Sequence, residues 1–285
     1  MAREIKSTVP IITTSTSFDG KHILEFNESS HRYKLDKKPC TSTTTFCKAG
    51  YPMNIGLINW MKRQSSLALY NLLLQTTIVD GWPNTEEEKK ELFKKAETAH
   101  EEVAQEAADI GTITHAFAEL HSAGKIKEAT VLRDQIKVVE KWPIIEGCLN
   151  KYLDWAAHDK GELILAEGLI ASPTYLFCGK FDRLDKVNGH LRLRDYKTAK
   201  AFYPEQFIQL GAYTLAIREW HGLIVEELEV VRFGKEDGLF ETLLITERSE
   251  IQAFIDQALR CRATFEFKKI ENDPRFDWRV RGKVA

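Results

Sequence analysis

Apolar and polar positions alternate through the second half of the chain, while a helical period governs the middle. Tyr175–Val187 and His190–Lys197 both alternate with a period of two around Asn188-Gly189. That dipeptide favours a two-residue hairpin turn, because both central positions need positive φ. Leu163–Ala171, Leu228–Phe233 and Leu239–Thr246 read as further strands, the last two joined across Gly234–Gly238. Pro204–Trp220 reads as a helix with proline in its first turn, and Ser249–Ile270 as a closing helix with apolar positions at Ile251, Phe254, Ile255 and Leu259.

Before these strands the pattern is helical over Ile55–Leu74, Thr85–Ala123 and Val131–Ala157. It breaks at Gly81-Trp82-Pro83-Asn84, with an interruption expected near Asp109-Ile110-Gly111 and a bend or break at Pro143. Residues 1–20 are polar and rich in Ser and Thr, which predicts an extended or loosely held start. His22–Phe26 and His31–Leu35 flank Asn27–Ser30 as a second hairpin. A hydroxyl cluster, Pro39–Thr45, then leads into a helix; capping is its ordinary meaning and phosphate contact the alternative. The order predicts an α/β (α+β) chain, a mixed central sheet flanked by helices. No Pro/Gly/Ser-rich linker divides it, so one domain is expected: an N-terminal hairpin region (1–54), a large helical elaboration (55–160), a core (161–270) and a basic tail (271–285).

Composition changes this picture little. Hydrophobic residues make up 43% and charged residues 29% of the 285, with a formal net charge of -2, which argues against general coating of nucleic acid but not against a local basic groove. No apolar run suits a signal peptide or a membrane span, so a cytoplasmic protein is expected. The five cysteines are scattered without a C-x-x-C pair, and reduced, buried thiols are the expectation.

The hairpin carries the chemistry. If Asn188-Gly189 closes it, Val187 faces His190, Asp182 faces Asp195, and Lys197 shares their face with Leu184, Leu191 and Leu193. Opposed residues have Cβ atoms roughly 4.5–5.5 Å apart, and two carboxylates so placed need a cation or a shared proton. The D-x12-D-x-K set suits Mg²⁺ held by hard oxygens, with Lys197 stabilising developing charge or orienting water. An ordinary surface ion pair is the alternative. In Gly111–Glu119, Ile113 and Phe117 form an apolar stripe and His115 lies with Glu119 on the far side, either as a solvated pair or as a neutral ligand suited to Mn²⁺. Gln206, Gln209 and Tyr213 recur along one helix, either as a plain amphipathic face or as contacts to a substrate backbone.

G-T-I-T-H, G-K-F-D, R-D-Y-K-T and Q-L-G-A-Y, in that order over Gly111–Tyr213, resemble the motifs of RecB-like nucleases of the PD-(D/E)XK superfamily. His31–Thr45 is similar to the entry region of phage and mitochondrial genome-maintenance exonucleases of this group. The resemblance implies a restriction-endonuclease-like fold and a metal-dependent DNA exonuclease acting in replication, repair or recombination, with a phage or bacterial setting fitting and host cytoplasm as the compartment if phage-encoded. It implies Asp182, Asp195 and His115 as ligands of one or two Mg²⁺ or Mn²⁺ ions, with the backbone carbonyl of Tyr196 beside them and Lys197 as the catalytic lysine. Gln209, Tyr213, Thr198 and Lys200 would bind substrate, and Glu119 and Glu167 would stand behind the ligands. Family members with an iron–sulphur cluster carry a closely spaced C-terminal cysteine trio; here only Cys261 follows the core, so no cluster is expected. DNA is the expected partner, with other replication or recombination proteins besides, and no membrane. A flap or branched-DNA endonuclease and a non-catalytic DNA-binding protein are the competing readings. Lys180, Arg183, Arg192, Arg194, Lys197 and Lys200, with the tail residues Lys268, Lys269, Arg275, Arg279, Arg281, Lys283 and Trp278, are the candidate DNA path. The helical middle is read as a wall or arch admitting a single strand.

Overall fold

The computed structural model describes residues 11–52, 55–75, 85–136, 142–159, 161–234 and 239–271. Gly81–Asn84, the Gly234–Gly238 joint beyond Gly234, and the tail from 272 lie outside the described residues. The first elements are β1 (Ile12–Thr16), β2 (Ile23–Asn27), β3 (Arg32–Leu35), β4 (Lys38–Ser42) and α1 (Thr43–Gly50). The helical middle comprises α2 (Ile55–Gln75), α3 (Glu86–Ser122), α4 (Ile126–Ile136) and α5 (Trp142–His158). Then come β5 (Glu162–Ser172), β6 (Phe177–Val187), β7 (His190–Thr198), α6 (Pro204–His221), β8 (Glu227–Phe233), β9 (Phe240–Ile245) and α7 (Arg248–Glu271).

The hairpin of β6 and β7 closes as its turn chemistry requires, with φ of 52° at Asn188 and 92° at Gly189. Val187 pairs with His190 and Arg183 with Arg194, without a bulge. β5 runs antiparallel along the other side of β6, β8 runs parallel to β7, and β9 closes that edge antiparallel to β8. The N-terminal meander β1–β4 joins the same sheet, because β4 pairs in parallel with the start of β6 at Phe177 and Cys178. This is the mixed α/β architecture with a central sheet flanked by helices.

Both sheet faces are covered, which is why β6 is buried almost throughout. On one face Leu184 and Leu193 join Phe46 of α1, Leu210 and Ala216 of α6, and Ile255 and Ala258 of α7 in one core. α6 approaches α7 so closely that a Cβ on Gly211 would lie 2.6 Å from the backbone of Phe254, so the motif glycine is a packing requirement. On the other face Tyr196 and Phe233 pack with Tyr152 of α5, whose hydroxyl donates to Ala118 O of α3 at 3.2 Å.

Two expectations narrow and one changes. Of an extended or a loose start, the chain takes the extended form from Ile12, where β1 pairs with β2 over five residues. α3 continues through Asp109-Ile110-Gly111; one helical glycine costs only about 1 kcal/mol relative to alanine, too little to end a long helix. Pro143 begins rather than bends a helix, lying in the first turn of α5, where its missing N–H is harmless. The described residues form two compact units, one from 1–51 with 115–285 and one from 52–114. Within the second, Ser65 of α2 donates to Glu97 O of α3 at 3.2 Å.

Candidate active site

The neighbours of β6 change where Asp182 stands. β4 flanks β6 at Phe177–Cys178, whereas β7 takes that side only from Arg183 onward. Asp182 therefore sits at the fork, one step beyond the last β6–β7 pair, and the same register places Asp195 opposite it. On the other side Ala166 pairs with Arg183 and Gly168 with Phe181, so Glu167 also falls opposite Asp182. Three carboxylates thus stand at one level across β5, β6 and β7. Glu167 takes φ 53°, a left-handed backbone in a strand already shifted in register, and irregularities of this kind re-aim a side chain.

Two cations and two hydrogen-bond donors hold this row. His115 Nε2 lies 3.0 Å from Asp182 Oδ2 and its Nδ1 lies 2.6 Å from Glu119 Oε1. Tyr196 donates its backbone N–H to Asp182 Oδ2 at 2.6 Å. Lys197 Nζ is 2.5 Å from Asp195 Oδ2, and Lys180 Nζ is 2.5 Å from Glu167 Oε2. Lys197 Nζ is thus the partner of Asp195 Oδ2, whereas Glu167 Oε1 is buried without a hydrogen-bond partner. The His115–Glu119 pair is half-buried, not solvated.

The electrostatics follow from that layout. Burial would raise Asp182, but His115, Lys197 and the Tyr196 N–H outweigh it and hold the carboxyl below its ordinary value. Burial dominates at Asp195 and, with Asp182 beside it, pushes the carboxyl up to about 6 against the pull of Lys197. Glu167 is pushed up to about 7 by burial and by Glu119 and Asp182, with Lys180 opposing. Burial opposes charge on His115 and Lys197, yet the carboxylates prevail and raise both. Lys197 is therefore a fixed cation at neutral pH, suited to stabilising negative charge and not to accepting a proton.

α6 and α1 line the same region. Gln209 Nε2 donates to Tyr213 Oη at 2.9 Å and to Thr44 Oγ1 at 3.1 Å. Tyr213 is only 4% exposed and feels both Asp195 and Asp182. Buried to that degree, its ring offers little face to the base or sugar expected to contact it, while its hydroxyl accepts from Gln209. Gly179 of the G-K-F-D motif is tied to it, since a Cβ there would lie 2.6 Å from Tyr213 Cε1. Gln206 is a helix cap, accepting from Tyr203 N at 3.0 Å. Thr198 ends β7 half-buried opposite Phe233, and Lys200 is exposed beyond it.

In the hydroxyl cluster, Ser42 caps α1 by accepting from Thr45 N at 3.2 Å, and Thr43 donates to Cys178 O at 3.0 Å. Capping is thus the main use of the cluster, but Thr44 belongs to the site, which the sequence did not indicate beyond its place among hydroxyls. The five cysteines are free, four of them buried and Cys40 half-buried.

Among the described residues, most of the expected basic path is engaged within the protein. Arg194, 1% exposed, binds Asp159, Asp185 and Glu229 at 2.5–2.6 Å and lies over Trp155. Arg183 binds Asp185 at 2.7 Å and Arg192 binds Glu227 at 2.7 Å. These arginines serve a buried ionic layer on the Tyr196 face; Asp185 lies two residues from Arg183, but Glu227 lies 35 residues from Arg192, and Asp159 and Glu229 each lie 35 from Arg194, beyond the reach of a sequence reading. Lys180 is held by Glu167. Arg275, Arg279, Arg281, Lys283 and Trp278 lie outside the described residues. No helix among the described residues is long and apolar enough to cross a membrane.

A family model described as the PD-(D/E)XK nuclease superfamily matches residues 88–277. No curated protein matches the chain. Similar solved structures include SSO0001, at 14% identity over 60% of this chain and 80% of that one, with a TM-score of 0.29. An alkaline exonuclease, LHK-Exo, from Laribacter hongkongensis aligns at 16% identity over 42% of this chain and 66% of that one, with a TM-score of 0.25. LHK-Exo in complex with dAMP aligns at 15% identity over 60% of this chain and 93% of that one, with a TM-score of 0.30.

Proposed function

The chain belongs to the PD-(D/E)XK nuclease superfamily, and from that premise we propose that it is a divalent-metal-dependent DNA exonuclease acting on single-stranded ends in replication, repair or recombination. The observation that carries the reading is the row Glu167, Asp182 and Asp195, with Lys197 on Asp195 and His115 on Asp182. A binding module has no need to bury opposed carboxylates, which repel one another.

The donor set fits a hard cation. Glu167 Oε1 is a buried oxygen without a hydrogen-bond partner, Asp195 Oδ2 faces Lys197, and oxygen donors with one imidazole suit Mg²⁺ or Mn²⁺. Among the described residues no group of three His, Cys, Asp or Glu side chains is arranged as a metal cage; Asp182 and Asp195 are ion-paired with His115 and Lys197. Asp182, Asp195 and His115 would hold the ion, and a bound divalent ion supplies Lewis acidity to a phosphoryl oxygen and a lowered pKa to water. Lys197, kept protonated by Asp195 and Asp182, stabilises charge developing on the scissile phosphate. Glu119 fixes which nitrogen of His115 faces Asp182. The Tyr196 N–H keeps Asp182 aimed at the fork.

The test is digestion of end-labelled linear and circular single-stranded DNAs with Mg²⁺ or Mn²⁺, alongside Lys197→Ala. Linear DNA should be consumed from an end and circular DNA spared, with Lys197→Ala inactive. Cleavage of circular or flap DNA would make it an endonuclease. Full activity in Lys197→Ala would defeat the catalytic assignment.

A further inference from the structure

We propose that Thr44 is a substrate-binding residue whose hydroxyl donates to a phosphate oxygen of single-stranded DNA, and that Gln209 positions it. The proposal rests on the nuclease reading above and adds a contact to it. It follows from a count of donors. A glutamine amide has two N–H donors, and Gln209 Nε2 makes two hydrogen bonds inside the protein, to Tyr213 Oη and Thr44 Oγ1. With both N–H groups used, what the amide has left to offer is its carbonyl oxygen, an acceptor. A phosphate offers only acceptors, so Gln209 cannot bind it through the amide, contrary to what helical spacing alone suggested.

Thr44 has the complementary property. Its oxygen accepts from Gln209, which leaves its own O–H proton for an acceptor outside the protein, and the residue is exposed. Three contacts fix its place. Thr43 beside it is bound to Cys178 O on β6, and Gln209 ties it to Tyr213, which packs against Gly179 on the strand that carries Asp182. Gly179 closes the gap, with Tyr213 and Thr43 Oγ1 both within contact of the position its Cβ would take. An exposed hydroxyl is thereby held by Gln209 and by its neighbour Thr43, with one acceptor site already used. That is the arrangement for a phosphate neighbouring the scissile one, where a hydroxyl positions the strand without reading its sequence.

The experiment measures binding of single-stranded oligonucleotides to the full-length protein in a Lys197→Ala background, so that DNA is not consumed. Thr44→Val removes the hydroxyl and keeps the shape; Thr44→Ser keeps the hydroxyl. Thr44→Val should raise Kd roughly 10-fold or more, as expected for a hydrogen bond to a charged group, with Thr44→Ser near the parent. Replacing single phosphates by uncharged methylphosphonates should remove the Thr44→Val penalty at one position near the cleaved end and leave it elsewhere. In otherwise unaltered enzyme, Thr44→Val should raise KM with kcat within a few-fold. Unchanged affinity in Thr44→Val, or a penalty equal at every methylphosphonate position, overturns the assignment while leaving the nuclease reading intact. No DNA binding or hydrolysis by the parent protein overturns both.

Discussion

Tyr196 donates its backbone N–H to Asp182 Oδ2 at 2.6 Å, so a side chain of β6 takes the place of a backbone rung where the two strands part. The same oxygen faces His115 Nε2. One carboxylate therefore fixes the residue between Asp195 and Lys197 and the imidazole of α3 together. Asp182→Asn keeps the size and an acceptor but removes the charge. Hydrolysis should fall by about 10²–10³-fold, the scale of losing one electrostatic group at a reacting centre. Far-ultraviolet circular dichroism should remain that of the parent. Activity within a few-fold of the parent would show that Asp182 is only a strand tie.

Gly179 and Tyr213 should behave as one unit. A Cβ at 179 meets Tyr213 Cε1 at 2.6 Å and Thr43 Oγ1 at 3.2 Å. Gly179→Ala should cost about 1–3 kcal/mol by overpacking. In a Tyr213→Leu background the same substitution should cost clearly less, because the ring edge is gone; a double-mutant cycle by urea denaturation measures that coupling. Additive costs would show that the strand backbone, not the ring, limits the site.

What could be read from the sequence was what local chemistry determines. Asn188-Gly189 fixes its own turn, so the turn fixes the register, and the opposition of Asp182 and Asp195 follows by counting. Glu167 was placed only by resemblance, because its register depends on the irregularity between Leu163 and Leu165, which no turn signal announces. The parallel pairing of β4 with β6 joins Thr41 to Phe177 across the whole helical middle, and nothing in either strand names the other. Arg194 looked like a DNA contact because its alternation with Arg192 is visible, while Asp159 and Glu229, which neutralise it, are each 35 residues away. Periodicity shows which residues share a face, not what covers that face.

Metal binding should displace protons from this site. His115 is held well above its ordinary value by the carboxylates around it, and Asp195, pushed up to about 6, carries a proton below that pH; a ligand to a cation must lose either proton. For Asp195 the folded pKa exceeds the unfolded one, so its contribution is fully present below the unfolded pKa and is lost as pH rises through about 6. A cation restores what is lost. Saturating Mn²⁺ should therefore raise Tm more at about pH 7.5 than at about pH 5.5, with protons released on titration. Equal shifts at both pH values would exclude these groups as ligands.

The buried ionic layer should dominate stability on the Tyr196 face. Arg194→Met preserves much of the volume but leaves Asp159, Asp185 and Glu229 facing one another without their shared cation. Breaking a buried network by removing one partner costs about 3–5 kcal/mol, so the urea midpoint should fall sharply at neutral pH. Burial raises Asp159, but Arg194 and Arg183 outweigh it and hold the carboxyl below its ordinary value. A depressed carboxyl stabilises above its unfolded pKa and loses that contribution as pH falls through the folded one, so the parent should lose stability below about pH 4. In Arg194→Met the larger cause of the depression is gone, only Arg183 remains beside Asp159, and Asp159 takes up a proton more readily on acidification. The gap between parent and variant should therefore narrow as pH falls from 7 towards about 4, read from urea midpoints across that range. A constant gap would mean that Arg194 acts by packing against Trp155 and not by charge.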